Sequence, residues 1–209
     1  MRDLYGRRLD RIDKGAGDFA TAADVAAEKA ILGVIAAARP DDASMLVAVN
    51  VALGDGAAAV ADPFGGEVYC TDGESAWVRR EGGEARLSPS SATRLVDVNL
   101  DPPFPSAPGF RAVDPLTHPR FVADFRPRVV STTLALAWVA AGKRAAYVTD
   151  GTDLTGSVHF AAGIAVCRAA GCVVTGLDGA PIGPGSRGLV AAADAGTHER
   201  LMSVIGDRG

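Results

Sequence analysis

The sequence predicts a mixed α/β fold on three observations. A helix-forming run lies near the start, short β-rich segments separated by glycine-containing turns come after it, and helical and strand patterns alternate in the last third. The 209 residues are enough for one core, held by a single domain or by two half-domains sharing a sheet. With 48% hydrophobic and 22% charged residues, general disorder is excluded.

The first element is a helix over Thr21–Ala38, built from strong helix formers, with Val25, Leu32 and Ile35 on one face. Thr21 stands at the N-cap position and Asp24 three residues later makes a capping-box-like pair, while Arg39-Pro40 stops the helix. Met45–Leu53 reads as one strand, and Gly54-Asp55-Gly56 supplies the turn of a hairpin over Leu46–Val60. Strands are predicted at Glu67–Cys70, Ser75–Arg79 and Ala85–Ser88, with turns at 71–74 and 81–84, making an antiparallel meander.

Seven of the twelve prolines lie between Asp101 and Pro127, which excludes a regular helix or a central strand and predicts an extended connection. The chain is thus read as one domain over 1–209, with sub-halves 1–100 and 128–209 joined by residues 101–127. After the connection come a helix opened by Ser131 and ended by Gly142, a strand at Ala145–Val148, and a helix around His159–Ala170 ended by Gly171. The strands CVVTG and GLVAAA and a helix from Asp194 complete the chain.

Twenty-one Lys plus Arg against twenty-five Asp plus Glu give a net charge of −4 without a basic stripe, which argues against nucleic acid as a partner. No apolar run reaches the ~20 residues of a membrane span, and the first residues lack a signal-peptide core, so a cytoplasmic protein is expected. The three cysteines, Cys70, Cys167 and Cys172, have neither CxxC spacing nor a nearby zinc-ligand histidine, and are read as free buried thiols.

Two stretches, KGAGDFATAADVAAEKAI (14–31) and VHFAAGIAVCRAAGCVVTGLDGAPIGPGS (158–186), together resemble the inositol monophosphatase family of metal-dependent, lithium-sensitive sugar-phosphate phosphatases. The first is similar to that family's Asp-x-Val-Thr-x-x-Asp-x-x-x-Glu opening. The second is similar to its Trp-Asp-x-Ala-Ala-Gly motif with the succeeding Glu-Ala-Gly-Gly, strand, Gly-x-Pro and late Ser. The intervening hairpin, helix and strand segments come in the family's order. The resemblance implies the layered α-β-α-β-α sandwich of that family in shortened form, Mg²⁺ as cofactor, a small phosphorylated metabolite as substrate, and a homodimer.

The departures bear on function. The family's Glu-Glu and Asp-Pro-x-Asp-Gly-Thr carboxylates precede the strand that starts here at Leu46, and only Arg39–Met45 occupies their place. Mg²⁺ requires several converging oxygen ligands. Asp42 and Ser44, from Asp41-Asp42-Ala43-Ser44, read either as a vestige of that motif facing substrate or as a solvated turn. Asp62-Pro63-Phe64-Gly65-Gly66 imitates the motif but lies after the hairpin, where an ordinary turn belongs.

The family's Trp-Asp pair is Val158-His159 here, and imidazole suits Zn²⁺ or Mn²⁺ better than Mg²⁺. Asp24 and His159 are the metal and acid/base candidates. Asp24 serves either as ligand or base or as charge at the helix start, and His159 either as an acid/base group or as a core histidine. Thr21 matches the family's threonine near the attacking water, or is simply the N-cap. Asp150 and Asp153, expected on the loop before His159, fall where the family has substrate-facing residues. The glycine-rich GPGSRG (183–188) reads as a turn and not as a phosphate loop, for it lacks the strand-loop-helix context and lysine of one.

The sequence supports three functional readings. The leading one is a family member that has lost most Mg²⁺ carboxylates and binds a small molecule or partner without hydrolysis. The alternatives are a phosphomonoesterase with a reduced metal site of Asp24, Asp42 and His159, and a metal-free acid/base enzyme using His159 and Asp24.

Overall fold

The computed structural model describes residues 11–15, 18–22, 25–26, 29–30, 45–47, 50–52, 56–62, 64–100, 109–154, 157 and 159–207. Its first element is a hairpin of β1 (Arg11–Gly15) and β2 (Asp18–Thr21), which the charged opening of the chain does not signal. Ala22 comes directly after as a helical residue, and the described residues 25, 26, 29 and 30 are helical too, in agreement with the expected run.

The first large sheet is antiparallel and takes its strands in chain order: β3 (Met45–Val47), β4 (Asn50–Ala52), β5 (Ala58–Asp62), β6 (Glu67–Thr71), β7 (Ala76–Arg80) and β8 (Gly83–Arg86). The expected single strand at 45–53 is corrected to two. Met45 pairs with Ala52 and Val47 with Asn50, so the chain reverses between Val47 and Asn50. Nothing between those residues carries a glycine, proline or aspartate turn signal, so an apolar run that folds back on itself reads as continuous. The next reversal is the expected one: Asn50 pairs with Val60, and Gly56 takes φ +87°, the region that favours glycine. Gly54 lies outside the described residues. The turn expected at 81–84 is tighter, since Gly83 and Glu84 already belong to β8.

The second sheet has the order β10-β9-β11-β13-β12. Its strands are β9 (Leu95–Asn99), β10 (Arg126–Val129), β11 (Ala146–Asp153), β12 (Val173–Thr175) and β13 (Arg187–Ala192). β9 pairs in parallel with β10 and β11, and β13 runs antiparallel to β11 and β12. Sequence reading missed β9 because polar Asp97 and Asn99 interrupt its apolar residues. The fully buried Asp97 carboxylate accepts a hydrogen bond from Arg144 Nε at 2.7 Å. Burial pushes the Asp97 carboxyl above its usual range even so, against the pull of Arg144.

The proline-rich connection is not wholly extended. It contains a 3₁₀ turn (Asp114–Thr117) and helix α1 (Pro119–Asp124), each with proline in its first turn, where a missing N–H costs nothing. Pro127 sits in β10, the edge strand, where a ladder donor is dispensable. Residues 101–108 lie outside the described set. Helix α2 (Leu134–Ala140) starts after Thr133 rather than Ser131, with no side-chain cap bond. Helix α3 (Ala161–Ala170) ends at Gly171, and α4 (Ala195–Gly206) is capped by the Asp194 carboxylate, which accepts from Thr197 N at 2.7 Å.

Helices α2 and α3 form the layer between the two sheets. α3 touches β4, β5, β6 and β7 on one side and β12 on the other, while α2 touches β5, β11 and β13. Val60, Tyr69, Val78, Leu136, Val139, Ile164, Tyr147 and Leu189 share that core. On the far face of the second sheet, Val96, Val98, Val148 and Val190 pack with Phe121, Leu201, Val204 and Ile205 of α1 and α4. Strand alternation divides the residues: Tyr147 and Leu189 face one layer, Val148 and Val190 the other. Among the described residues no helix is long and apolar enough to cross a membrane.

A polar clasp joins the loop after α2 to the first sheet. The Glu67 carboxylate, 13% exposed, accepts from Lys143 Nζ at 2.5 Å, from Arg80 Nε at 2.8 Å and from the Tyr69 hydroxyl. Burial would raise its pKa, but the hydrogen bonds from Lys143, Tyr69 and Arg80 together outweigh that and lower it to about 2. A depressed folded-state pKa gives stability that is present above the unfolded value of ~4.3 and is lost as pH falls toward the folded value. Urea midpoints of the native chain should therefore fall between pH 5 and pH 2 more steeply than those of Glu67→Gln. Identical pH profiles for the two would contradict the clasp.

Candidate functional site

The site region lies at the carboxyl ends of the parallel strands β9 and β11, beside the start of α3. In sheets with parallel strands the ends of those strands leave a crevice where ligands bind. Asn99 closes β9 and is in register with Thr149 of β11. Its side-chain Nδ2 donates to the Tyr147 hydroxyl at 3.1 Å, and the Tyr147 ring stands 6.4 Å from that of Phe160, tilted by 47°. Phe160 is the residue before α3, and His159 precedes it on an exposed turn. That turn is fixed by Ser157, whose carbonyl accepts from Phe160 N at 3.1 Å and from Ala161 N at 3.0 Å. His159 is therefore outside the helix that was expected to include it, and its exposure rules out the buried-histidine reading.

Asp150 is corrected from an exposed loop to strand β11, where it is 4% exposed. Its Oδ2 accepts from Arg111 Nε at 2.8 Å and from Ala112 N at 2.9 Å. Val148, two residues back, packs with α1 and α4, so the pleat points Asp150 toward the same layer and away from Tyr147. It ties the proline-rich connection to the second sheet. Asp153 ends β11 opposite Arg187 after an irregularity in the ladder, so it too is a strand residue. Thr21 ends β2 opposite Arg11, immediately before the helical residues. Asp24, Asp42 and Ser44 lie outside the described residues, and with them the expected Asp24–His159 pocket.

The motif look-alikes are turns. Asp62 Oδ1 accepts from Phe64 N at 3.0 Å and Gly65 N at 2.8 Å, and Ser186 Oγ accepts from Gly183 N at 2.9 Å. His198 Nε2 meets Thr175 Oγ1 at 2.8 Å, and His118 Nε2 lies 3.5 Å from Asp207. A cavity of about 320 Å³, lined by Phe110, Asp114, His118, Val204, Ile205 and Asp207, opens beside α4 and contains no expected site residue.

Comparison with known protein families matches residues 44–208 to the inositol monophosphatase family. The chain belongs to that family. Over 79 residues it is 39% identical to the inositol-1-monophosphatase ImpA of Mycolicibacterium smegmatis, a match covering 38% of this chain and 27% of that protein. The alignment thus spans little more than a quarter of that relative's length. Among solved structures, the extragenic suppressor protein SuhB of Bartonella henselae superposes with a TM-score of 0.77, 22% identity, and coverage of 100% of this chain and 93% of that one. An IMPase from Thermotoga maritima gives 0.65 at 18% identity, over 99% and 91%. At these identities the structures show the shared fold, which is the layered inositol-monophosphatase type.

Family membership implies divalent metal. Among the described residues no three His, Cys, Asp or Glu side chains come together as metal donors. His159 offers one imidazole, and Asp150 is committed to Arg111 and Ala112. The described donors do not fit a Mg²⁺ site. What the region offers is an exposed imidazole, the positive end of α3 and the half-buried Phe160 and Asn99, both set against the buried Tyr147. None of those three residues was singled out in the sequence, because Asn99 and Tyr147 become adjacent only through parallel pairing of β9 and β11, and Phe160 meets Tyr147 only through the placement of α3.

Asp150→Asn should lower unfolding stability by about 2 kcal/mol, the scale of a lost charge-assisted hydrogen bond. A denaturation curve within ~0.5 kcal/mol of the native chain would contradict its tethering role.

Proposed function

We propose that this inositol monophosphatase family member binds a small phosphorylated metabolite beside His159 without hydrolysing it. The observation that carries the reading is His159 itself, an exposed imidazole on the turn into α3, at the position where the family resemblance calls for a metal-binding aspartate. The shortened Arg39–Met45 segment, without the Glu-Glu and Asp-Pro-x-Asp-Gly-Thr carboxylates, supports it from the sequence side. Phosphate and sugar hydroxyls suit the elements present. The imidazole donates to anionic oxygen, the positive end of α3 favours its charge, and Phe160 offers an apolar face to a sugar ring.

The catalytic alternative is hydrolysis by a reduced site of Asp24, Asp42 and His159 loaded with Zn²⁺ or Mn²⁺. Its motivation is the same imidazole.

The test pairs an activity assay with a binding assay on the full chain. With inositol monophosphate and Mg²⁺, Zn²⁺ or Mn²⁺ in turn, turnover should stay far below the ~1 per second at the low end of ordinary enzymes. A panel of sugar phosphates should include one that raises the melting temperature, and His159→Ala should abolish that rise. Turnover of ~1 to 10³ per second with any of the metals would overturn the non-hydrolytic reading. Absence of any phosphate-dependent shift would overturn the binding reading.

A further inference from the structure

Helix α3 ends in a cap that places two cysteines together. Gly171 adopts φ +91°, Gly171 N donates to Arg168 O at 3.0 Å, and Cys172 N donates to Cys167 O at 2.9 Å. These are the paired hydrogen bonds of a Schellman cap, in which the residue after the glycine and the residue five positions before it bring their side chains into contact. Here those residues are Cys172 and Cys167, and both are free thiols. The Cys172 thiol lies against that of Cys167 and, together with burial, pushes the Cys167 thiol well above its usual range. Cys167 is fully buried and its Sγ is 3.1 Å from Leu136 O, whereas Cys172 is 9% exposed beside the exposed Gly171.

We propose that Cys167 and Cys172 form a reversible dithiol–disulfide modification site, oxidised by a low-molecular-weight disulfide of the glutathione type. Two aliphatic side chains would complete the cap equally well. Two thiols add a chemistry that the cap alone does not need. A disulfide requires its two residues at close range, and the cap brings the side chains of these two positions together.

Cys172, the thiol nearer solvent, attacks as thiolate one sulfur of the small disulfide. The other sulfur leaves as a thiolate and takes up a proton. Cys167 then gives up its proton and attacks the Cys172 sulfur of the mixed disulfide, expelling the second small thiol. Two protein thiols become one disulfide, and one small disulfide becomes two thiols. The product ties the end of α3 covalently to the start of β12.

The test uses the folded full chain and its Cys70→Ser variant, incubated in native buffer with oxidised glutathione and then alkylated. Trypsin cuts after Arg168, between the two cysteines, so a bridge joins two peptides that otherwise separate. Mass spectrometry should find the joined pair, two hydrogens lighter than the separate peptides and split by dithiothreitol. The native chain should lose two of its three thiols. Cys167→Ser should stop at a glutathione adduct on Cys172. Recovery of both cysteines as alkylated, separate peptides from the folded chain, while a urea-unfolded sample bridges under the same oxidant, would overturn the proposal. So would glutathione adducts on Cys172 of the native chain with no bridged product.

Discussion

Leu136 and Gly163 meet where one more carbon atom would not fit. A β-carbon at position 163 would lie 2.7 Å from both Cβ and Cδ1 of Leu136, closer than such atoms approach. That contact sets the distance between α2 and α3, and these two helices are the layer on which both sheets rest. The Cys167 thiol lies on the Leu136 carbonyl at 3.1 Å along the same seam. Interiors are packed at crystal-like density, so spreading the pair would open voids toward Val60 and Tyr69 on one side and Tyr147 and Leu189 on the other. Each fully buried aliphatic or aromatic side chain in that layer is worth roughly 1.5–3 kcal/mol.

The site inherits its geometry from this layer. His159 and Phe160 lead directly into α3 and Cys167 lies near its end, so the ring contact with Tyr147 and the cap at Gly171 both result from where the helix sits. The opposite face of the second sheet does separate work. There Asp150 holds Arg111 and Ala112, anchoring the connection that brings β10 to the sheet edge.

The features legible in the sequence were those written in local chemistry. Glycine at a left-handed cap marked the end of α3, aspartate at an N-cap marked the start of α4, and the meander came from apolar runs between turn residues. The features that escaped depend on pairing between distant segments. β9 carries Asp97 and Asn99 in its middle and end, and it becomes a central strand only because Arg144, 47 residues on, covers the aspartate. The reversal between Val47 and Asn50 has no turn residue to announce it. In the site, the family motif pointed to His159, but the neighbours Asn99 and Tyr147 come from different strands and have no shared sequence signal. The dithiol shows the same limit: spacing alone reads as two buried thiols, and only the cap geometry sets them face to face.

The most direct measurement is a double-mutant cycle between positions 163 and 136, read by urea denaturation. Gly163→Ala should destabilise the native chain by about 1–3 kcal/mol through overpacking. In the background of Leu136→Ala, which removes the obstructing Cγ and Cδ1 and keeps only Cβ, the same change should cost less by ~0.5–3 kcal/mol. The two substitutions adding within ~0.3–0.5 kcal/mol would contradict the claim that this contact sets the spacing of the helical layer.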